Sequence, residues 1–194
     1  MTGPSSTTVR IRPLEAVDHP AVLALNDAEV PRVGPLTPDG LVALLAHCDL
    51  ALVAERAAEV AGFVLAIAPG TAYTSPNYRF FERRATDHLY VDRILTAPAH
   101  RRAGVATALS EAVEARARAT GRVEVTCEVN VRPANPVSLA FHAARGFVEV
   151  ARQDTDGGVL TVALLARTLP PAAANRRVRP EPTPDAHPPS AGAP

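Results

Sequence analysis

The sequence contains no lysine: all 20 of its basic residues are arginine. Acidic residues also number 20, so the formal net charge is zero. A chain that coats DNA or RNA carries a basic excess, so no nucleic-acid partner is expected. A local phosphate site is not excluded. Cysteine is scarce, and Cys48 and Cys127 lie far apart without metal-ligand spacing. That argues against a disulfide scaffold and a zinc site, and no metal is expected; a reducing cytoplasm is the default. No apolar run approaches the ~18 residues of a membrane span, so no membrane contact is expected. Residues Met1 to Thr8 are polar and lack a signal-peptide core.

What is present points to a globular chain. Its 194 residues are 47% hydrophobic and 21% charged, enough for one ordinary domain with a sizeable core. The arginine-only basic set, the 19 prolines and the abundant alanine read as genomic base composition. From Pro170 to Pro194 the character changes, with eight prolines among small residues and arginines. Such a segment buries too little apolar surface to offset its ordering entropy, and a disordered tail is expected. Residues 1–7 are expected to be flexible, leaving 8–169 as the folded domain.

Within that body the hydrophobic period alternates. Val9 and Ile11 start a short strand. Pro20 to Val30 reads as a helix, with Asp18 as cap and Val22, Leu25 and Glu29 at helical spacing. Thr37-Pro38 opens a second helix with Leu41, Leu44 and Leu45. Leu50–Ala54 and Val60–Ile67 form a hairpin around the polar turn between them. Pro69 to Asp87 reads as a long connection carrying Tyr73, Tyr78, Phe80 and Phe81, either a lid or a packed surface loop. His88–Thr96 is a strand. Gly104–Thr120 is an amphipathic helix with Val105, Leu109 and Val113 inside, and Glu114 and Arg118 paired outside. Val123–Val131 alternates as a strand, Asn135–Arg145 is a helix stopped by Gly146, and Phe147–Arg152 and Val159–Ala166 close the chain as strands. The order is that of a mixed α/β (α+β) domain with one central, twisted sheet flanked by helices. The helix between the His88 and Val123 strands is long enough for a parallel crossover.

Arg101-Arg102-Ala103-Gly104-Val105-Ala106-Thr107 lies where a strand gives way to that helix. The small residues allow a phosphate to approach the backbone. The first helical amides lack intrahelical partners and carry the positive end of the dipole, which makes a diphosphate cradle. Arg101 or Arg102 would add charge-assisted bonds. An Arg-rich turn with a conformationally required glycine is the competing reading. No Gly-Lys-Ser/Thr follows, so this is not a P-loop.

Arg101-x-x-Gly104-x-Ala106 resembles the Gln/Arg-x-x-Gly-x-Gly/Ala signature of the GNAT N-acetyltransferase superfamily. Asn135-x-x-Ser138-x-x-Phe141-His142-x-x-x-Gly146-Phe147 resembles that family's second motif. The resemblance runs from about Val9 to Ala166. It implies a GNAT-like sheet with splayed strands and an acetyl-CoA co-substrate. The diphosphate would rest on residues 101–107 and the pantetheine arm along the backbone of Ile94, Leu95 and Thr96. Asn135 and Ser138 would contact CoA. Helix architecture also accounts for Asn135 as a cap and Gly146 as a stop.

The implied reaction needs a neutral amine, so a base must take a proton. Strand alternation places His88, Tyr90 and Asp92 on one face and Leu89, Val91 and Arg93 on the other. Glu124, Thr126, Glu128 and Asn130 share the polar face of the next strand, with Cys127 on its apolar face. Asp92 and Glu128 are the candidate bases. Asp92 is favoured because its strand is expected to hold the thioester. His142 stands where the family usually has Tyr, and is the candidate acid toward the leaving thiolate. The helices between Pro20 and His47 and the Tyr73–Arg84 segment would frame the acceptor. The expected function is N-acetyl transfer from acetyl-CoA to a primary amine of a small molecule or peptide by direct attack. A non-catalytic acyl-CoA sensor of the same fold is the rival. The oligomeric state is open, a homodimer included.

Overall fold

In a computed structural model, which describes residues 8–170, the period-2 runs become seven strands of one sheet. The expectations for residues 1–7 and for the tail from residue 171 lie outside the described residues. The strands are β1 (Arg10–Pro13), β2 (Cys48–Arg56), β3 (Glu59–Ile67), β4 (His88–Thr96), β5 (Glu124–Arg132), β6 (Val148–Thr155) and β7 (Leu160–Thr168). The helices are α1 (His19–Asp27), α2 (Pro38–Leu45), α3 (Pro76–Arg83), α4 (Val105–Ala119) and α5 (Pro136–Ala144). Sheet order is β1-β2-β3-β4-β5-β7-β6. Every pairing is antiparallel except β4 with β5, which α4 connects as the expected parallel crossover.

Each face of the sheet buries its own apolar set. On one face the α4 stripe Val105, Leu109, Val113 and Ala117 packs on Val64, Leu89, Val91, Val125 and Cys127. On the other, Val22 of α1, Leu41 and Leu44 of α2, and Tyr78 and Phe81 of α3 pack on Phe63, Leu65, Tyr90 and Leu95. Alternation along β3 and β4 separates the two sets, as a period of two demands. Gly62 on β3 permits one close approach. A Cβ there would lie 2.5 Å from the Leu95 carbonyl oxygen and 2.8 Å from Val105 Cγ1. Its absence lets the first turn of α4 seat directly on the ends of β3 and β4.

Three local expectations are corrected. The connection from Pro69 to Asp87 is broken by α3, whose Ser75 cap accepts from the Tyr78 N–H and whose Pro76 occupies the first turn. Tyr78 and Phe81 are fully buried, so this segment is packed and is not a lid. α1 stops at Asp27, leaving Glu29 in the following turn, and the Asp18 side chain does not cap it. That carboxylate instead accepts two bonds from Arg12, at 2.6 and 2.8 Å. Glu114 is buried rather than outside. It holds Arg118 at 3.3 Å, Arg145 at 2.6 Å, and Arg167, which ties α4 to the end of α5 and to β7.

Candidate active site

The parallel pairing of β4 with β5 covers only His88–Val91 against Glu124–Cys127. Beyond Val91 and Cys127 the strands part. β4 stays paired to β3 as far as Thr96, and β5 stays paired to β7 as far as Arg132. A wedge therefore opens inside the sheet, with the backbone of Ile94, Leu95 and Thr96 along one edge. The Thr96 hydroxyl on that edge is buried without a hydrogen-bond partner among the described residues. Asp92 and Glu128 are the first residues past the last paired positions, so both carboxylates flank the apex of the wedge.

A register irregularity sits at the same point. Leu65 pairs Arg93 and Ala66 pairs Val91, so Asp92 is an extra residue in β4. Such a bulge ends strict alternation. Arg93, expected on the face opposite Asp92, lines the same cavity with it. Its Nε donates to Asp92 at 3.2 Å, and its Nη1 donates to the Gly34 carbonyl at 2.7 Å and to the Asn26 side chain.

Above the wedge the chain turns into α4. Arg102 and Gly104 both take left-handed conformations, with φ of +62° and +81°. A turn built this way forms a concavity of backbone amides. The first α4 bond runs from the Ala108 N–H to the Gly104 carbonyl at 2.9 Å. The N–H groups of Arg102, Gly104, Val105, Ala106 and Thr107 have no acceptor among the described residues. Those of Arg101 and Ala103 are used, by Pro98 and His100. A Cβ built on Gly104 meets nothing within 4 Å, so the space over these amides is open. This geometry fits a diphosphate. The Arg101 guanidinium is paired with Glu29. Arg102 is exposed, and no ion pair holds it among the described residues.

On the opposite side of the wedge lies a cavity of about 240 Å³. Asp92, Glu128 and Asn130 are on its floor. Pro31–Gly34 after α1, Tyr73 and Asn77 near α3, and Leu160 and Val162 of β7 make its walls. The contributions from β7 and from the end of β6 were not legible in the sequence, because no local signal ties a hairpin to a distant cavity.

The two carboxylates have different surroundings. Asp92 accepts from the Tyr73 hydroxyl at 2.6 Å and from Arg93, so donors and a positive charge compensate it. Burial still raises its pKa. Glu128 accepts from the Tyr90 hydroxyl at 2.7 Å and has Asn77 as a further donor, but no cation pairs with it among the described residues. Burial first, and the Asp92 charge second, push its pKa up to about 8. Glu128 can thus exchange a proton near neutrality.

His142 is buried against Phe141 and Phe147. Its Nδ1 lies 2.8 Å from the Ser138 carbonyl, which only accepts, so Nδ1 carries the hydrogen. Burial holds the ring below the ordinary histidine range. The neutral ring leaves Nε2 as an acceptor, so His142 has no spare proton to give at neutral pH. Asn135 caps α5 by accepting from the Ser138 N–H at 3.2 Å, and the Ser138 hydroxyl faces His142 at 3.4 Å. The structure thus brings Asp92 and Glu128 together and leaves His142 on the α4 side of the sheet. Cys127 is buried and burial raises its thiol pKa, as befits a core residue. Among the described residues no group of three His, Cys, Asp or Glu side chains is gathered for a metal. Nor is any helix there long and apolar enough to cross a membrane.

The chain thus forms an open mixed α/β sheet that parts between two parallel strands, under a helix with free N-terminal amides. The family model for acetyltransferases of the GNAT family matches residues 21–147, and the chain belongs to that family. No curated protein matches the sequence. Among solved structures, Ard1 from Thermoplasma volcanium aligns with a TM-score of 0.68 at 19% identity, over 83% of this chain and 97% of that one. The ribosomal-protein-S18-alanine N-acetyltransferase from Escherichia coli aligns at 0.64 and 18%, over 87% and 98%. The yncA protein of Salmonella typhimurium, solved with its cofactor acetyl-CoA, aligns at 0.62 and 19%, also over 87% and 98%. At these identities the likeness is one of fold.

Proposed function

We propose that this chain is an N-acetyltransferase that moves the acetyl group of acetyl-CoA to a primary amine by direct attack, with Glu128 as the base. One observation carries the reading. Asp92 and Glu128 stand at the apex of the wedge, between an open amide turn on one side and a carboxylate-floored cavity on the other.

The N–H groups of Arg102 and of Gly104 through Thr107 would hold the diphosphate, with the Arg102 side chain adding charge and Ala103 keeping the turn small. The backbone of Ile94, Leu95 and Thr96 would pair with the pantetheine arm, and Asn135 and Ser138 would flank it. Bound there, acetyl-CoA supplies an activated thioester at the wedge. The cavity floor offers an amine hydrogen-bond acceptors, and Glu128 becomes an uncompensated carboxylate only as it deprotonates near its raised pKa of about 8. The Glu128 carboxylate takes the proton from the amine's ammonium form, and Tyr90 and Asn77 orient that carboxylate. Asp92 keeps the Glu128 pKa high enough to do so. Amides on the free edge of β4 can stabilise developing negative charge. As the N–C bond forms and the C–S bond breaks, the proton shed by the attacking nitrogen would go to the departing thiolate, and His142 packs beside this path without donating one. Both described cysteines are free, which supports a reducing cytoplasm.

Matching pKa values narrows the acceptor. An α-ammonium titrates at about 7.7–8.0 and a lysine-type one at about 10.4. A base near pKa 8 takes the first proton almost without cost. An α-amine, on a peptide or a small molecule, is therefore the favoured acceptor. The test is free-thiol release from acetyl-CoA against paired amines. We expect turnover on α-amino substrates to exceed that on ε-amino analogues at pH 7. CoA binding without turnover on any amine would favour an acyl-CoA sensor instead.

A further inference from the structure

Glu29 belongs neither to the amide turn nor to the cavity lining, yet it touches both. It lies in the turn after α1 and is only 8% exposed. One carboxylate oxygen accepts from Arg101 beside the cradle, and the other accepts from Arg32 at 3.2 Å. Its carbonyl accepts the N–H groups of Arg32 at 2.7 Å and Val33 at 3.3 Å. Arg32 and Val33 line the acceptor cavity. The far end of the same segment is tied down as well. The Gly34 carbonyl accepts from Asn26 at 3.1 Å and from Arg93 at 2.7 Å, and Arg93 reaches Asp92. Polar contacts therefore run from the cradle, through Glu29 and the cavity wall, to the carboxylate pair.

Arg101 holds Glu29 and stands beside the place of a second anion. Its side chain is 52% exposed and sits on a long stem three residues before Gly104. A diphosphate on the amides of residues 104–107 is within the same short turn. Glu29 keeps a second cation, Arg32, when Arg101 turns away. We propose that Glu29 is a positioning residue that competes with the CoA diphosphate for Arg101, so that cofactor binding is traded against the tether on the acceptor-cavity wall. This rests on the acetyltransferase reading above. It assigns a role to a residue that is distant in sequence from both motifs and that touches neither reacting group.

The test is CoA titration by calorimetry on the full chain and on Glu29→Gln, Arg101→Gln and the double variant. Removing the competitor should tighten CoA binding by roughly 1.4-fold to fivefold, the range for one ion pair with a solvent-exposed partner. The double variant should bind no tighter than Arg101→Gln alone. A merely structural Glu29 would not make its effect depend on Arg101. A second readout needs no Glu29 variant. The side-chain Nε–H signal of Arg101 in the wild-type NMR spectrum, assigned by its loss in Arg101→Gln, should shift as CoA is added. The proposal is overturned if wild type binds CoA while that signal stays put, or if Glu29→Gln gains as much without Arg101 as with it. Failure of the wild-type chain to bind CoA at all would instead overturn the acetyltransferase reading, and this proposal with it.

Discussion

Glu128→Gln is expected to lower turnover roughly 10²- to 10⁴-fold, the usual contribution of a general base, while CoA affinity stays within about twofold. The substitution keeps the shape and hydrogen-bond reach of the side chain and removes only its ability to take a proton. In wild type the rate should rise with pH as Glu128 deprotonates and level off near its raised pKa of about 8. Asp92→Asn removes the neighbouring negative charge that helps to raise that pKa, so the acid limb of the profile should move to lower pH. Asp92 as base would give the reverse: Asp92→Asn would abolish turnover and Glu128→Gln would only shift the profile. Stability provides the control. With a folded pKa of about 8 against an ordinary 4.5, the native state retains a proton that the unfolded chain sheds. Stability is therefore lost as pH rises through that interval. Glu128→Gln should flatten this slope and melt at least as high as wild type at pH 8, which separates lost chemistry from lost fold.

Gly104→Glu is expected to weaken CoA binding by roughly a hundredfold or more. Two terms add. The left-handed backbone at φ +81° costs a side-chain-bearing residue ~1–2 kcal/mol. The new carboxylate also projects into the open space over the free amides, where it repels a diphosphate and occupies its place. Gly104→Asn isolates the first term, because asparagine tolerates this conformation and brings no charge. It should bind CoA far better than Gly104→Glu. Equal loss in both variants would mean that the glycine serves the turn alone. The backbone strain also opposes folding, so Gly104→Glu should lower the melting temperature by about several degrees and Gly104→Asn by less.

The fold was legible wherever local chemistry and period agreed. The proline-capped α2, the hairpin of β2 and β3, and the Gly104 turn before α4 all announce themselves within a few residues. α3 was less visible. Its Ser75-Pro76 start is a genuine helix signal, but the aromatic and arginine residues that follow read as a loop until Tyr78 and Phe81 find the core. The bulge at Asp92 left no mark in the sequence, because it is set by the register of β3 against β4. That one extra residue turned Arg93 from the far face toward Asp92, and it changed which carboxylate is compensated. Asp92 and Glu128 were both identifiable as polar residues on central strands. Their ranking was not, since it depends on Tyr73, Arg93 and Asn77, which reach the site from elsewhere in the chain. The Glu29–Arg101 pair spans 72 residues and is equally invisible to any local pattern.

The most direct measurement is a crystal structure of the chain grown with CoA. The account predicts the diphosphate on the backbone amides of residues 104–107, the pantetheine arm along Ile94–Thr96 in the wedge, and the thiol at the apex beside Glu128. A CoA molecule bound elsewhere, with β4 and β5 closed together past Val91 and Cys127, would contradict it.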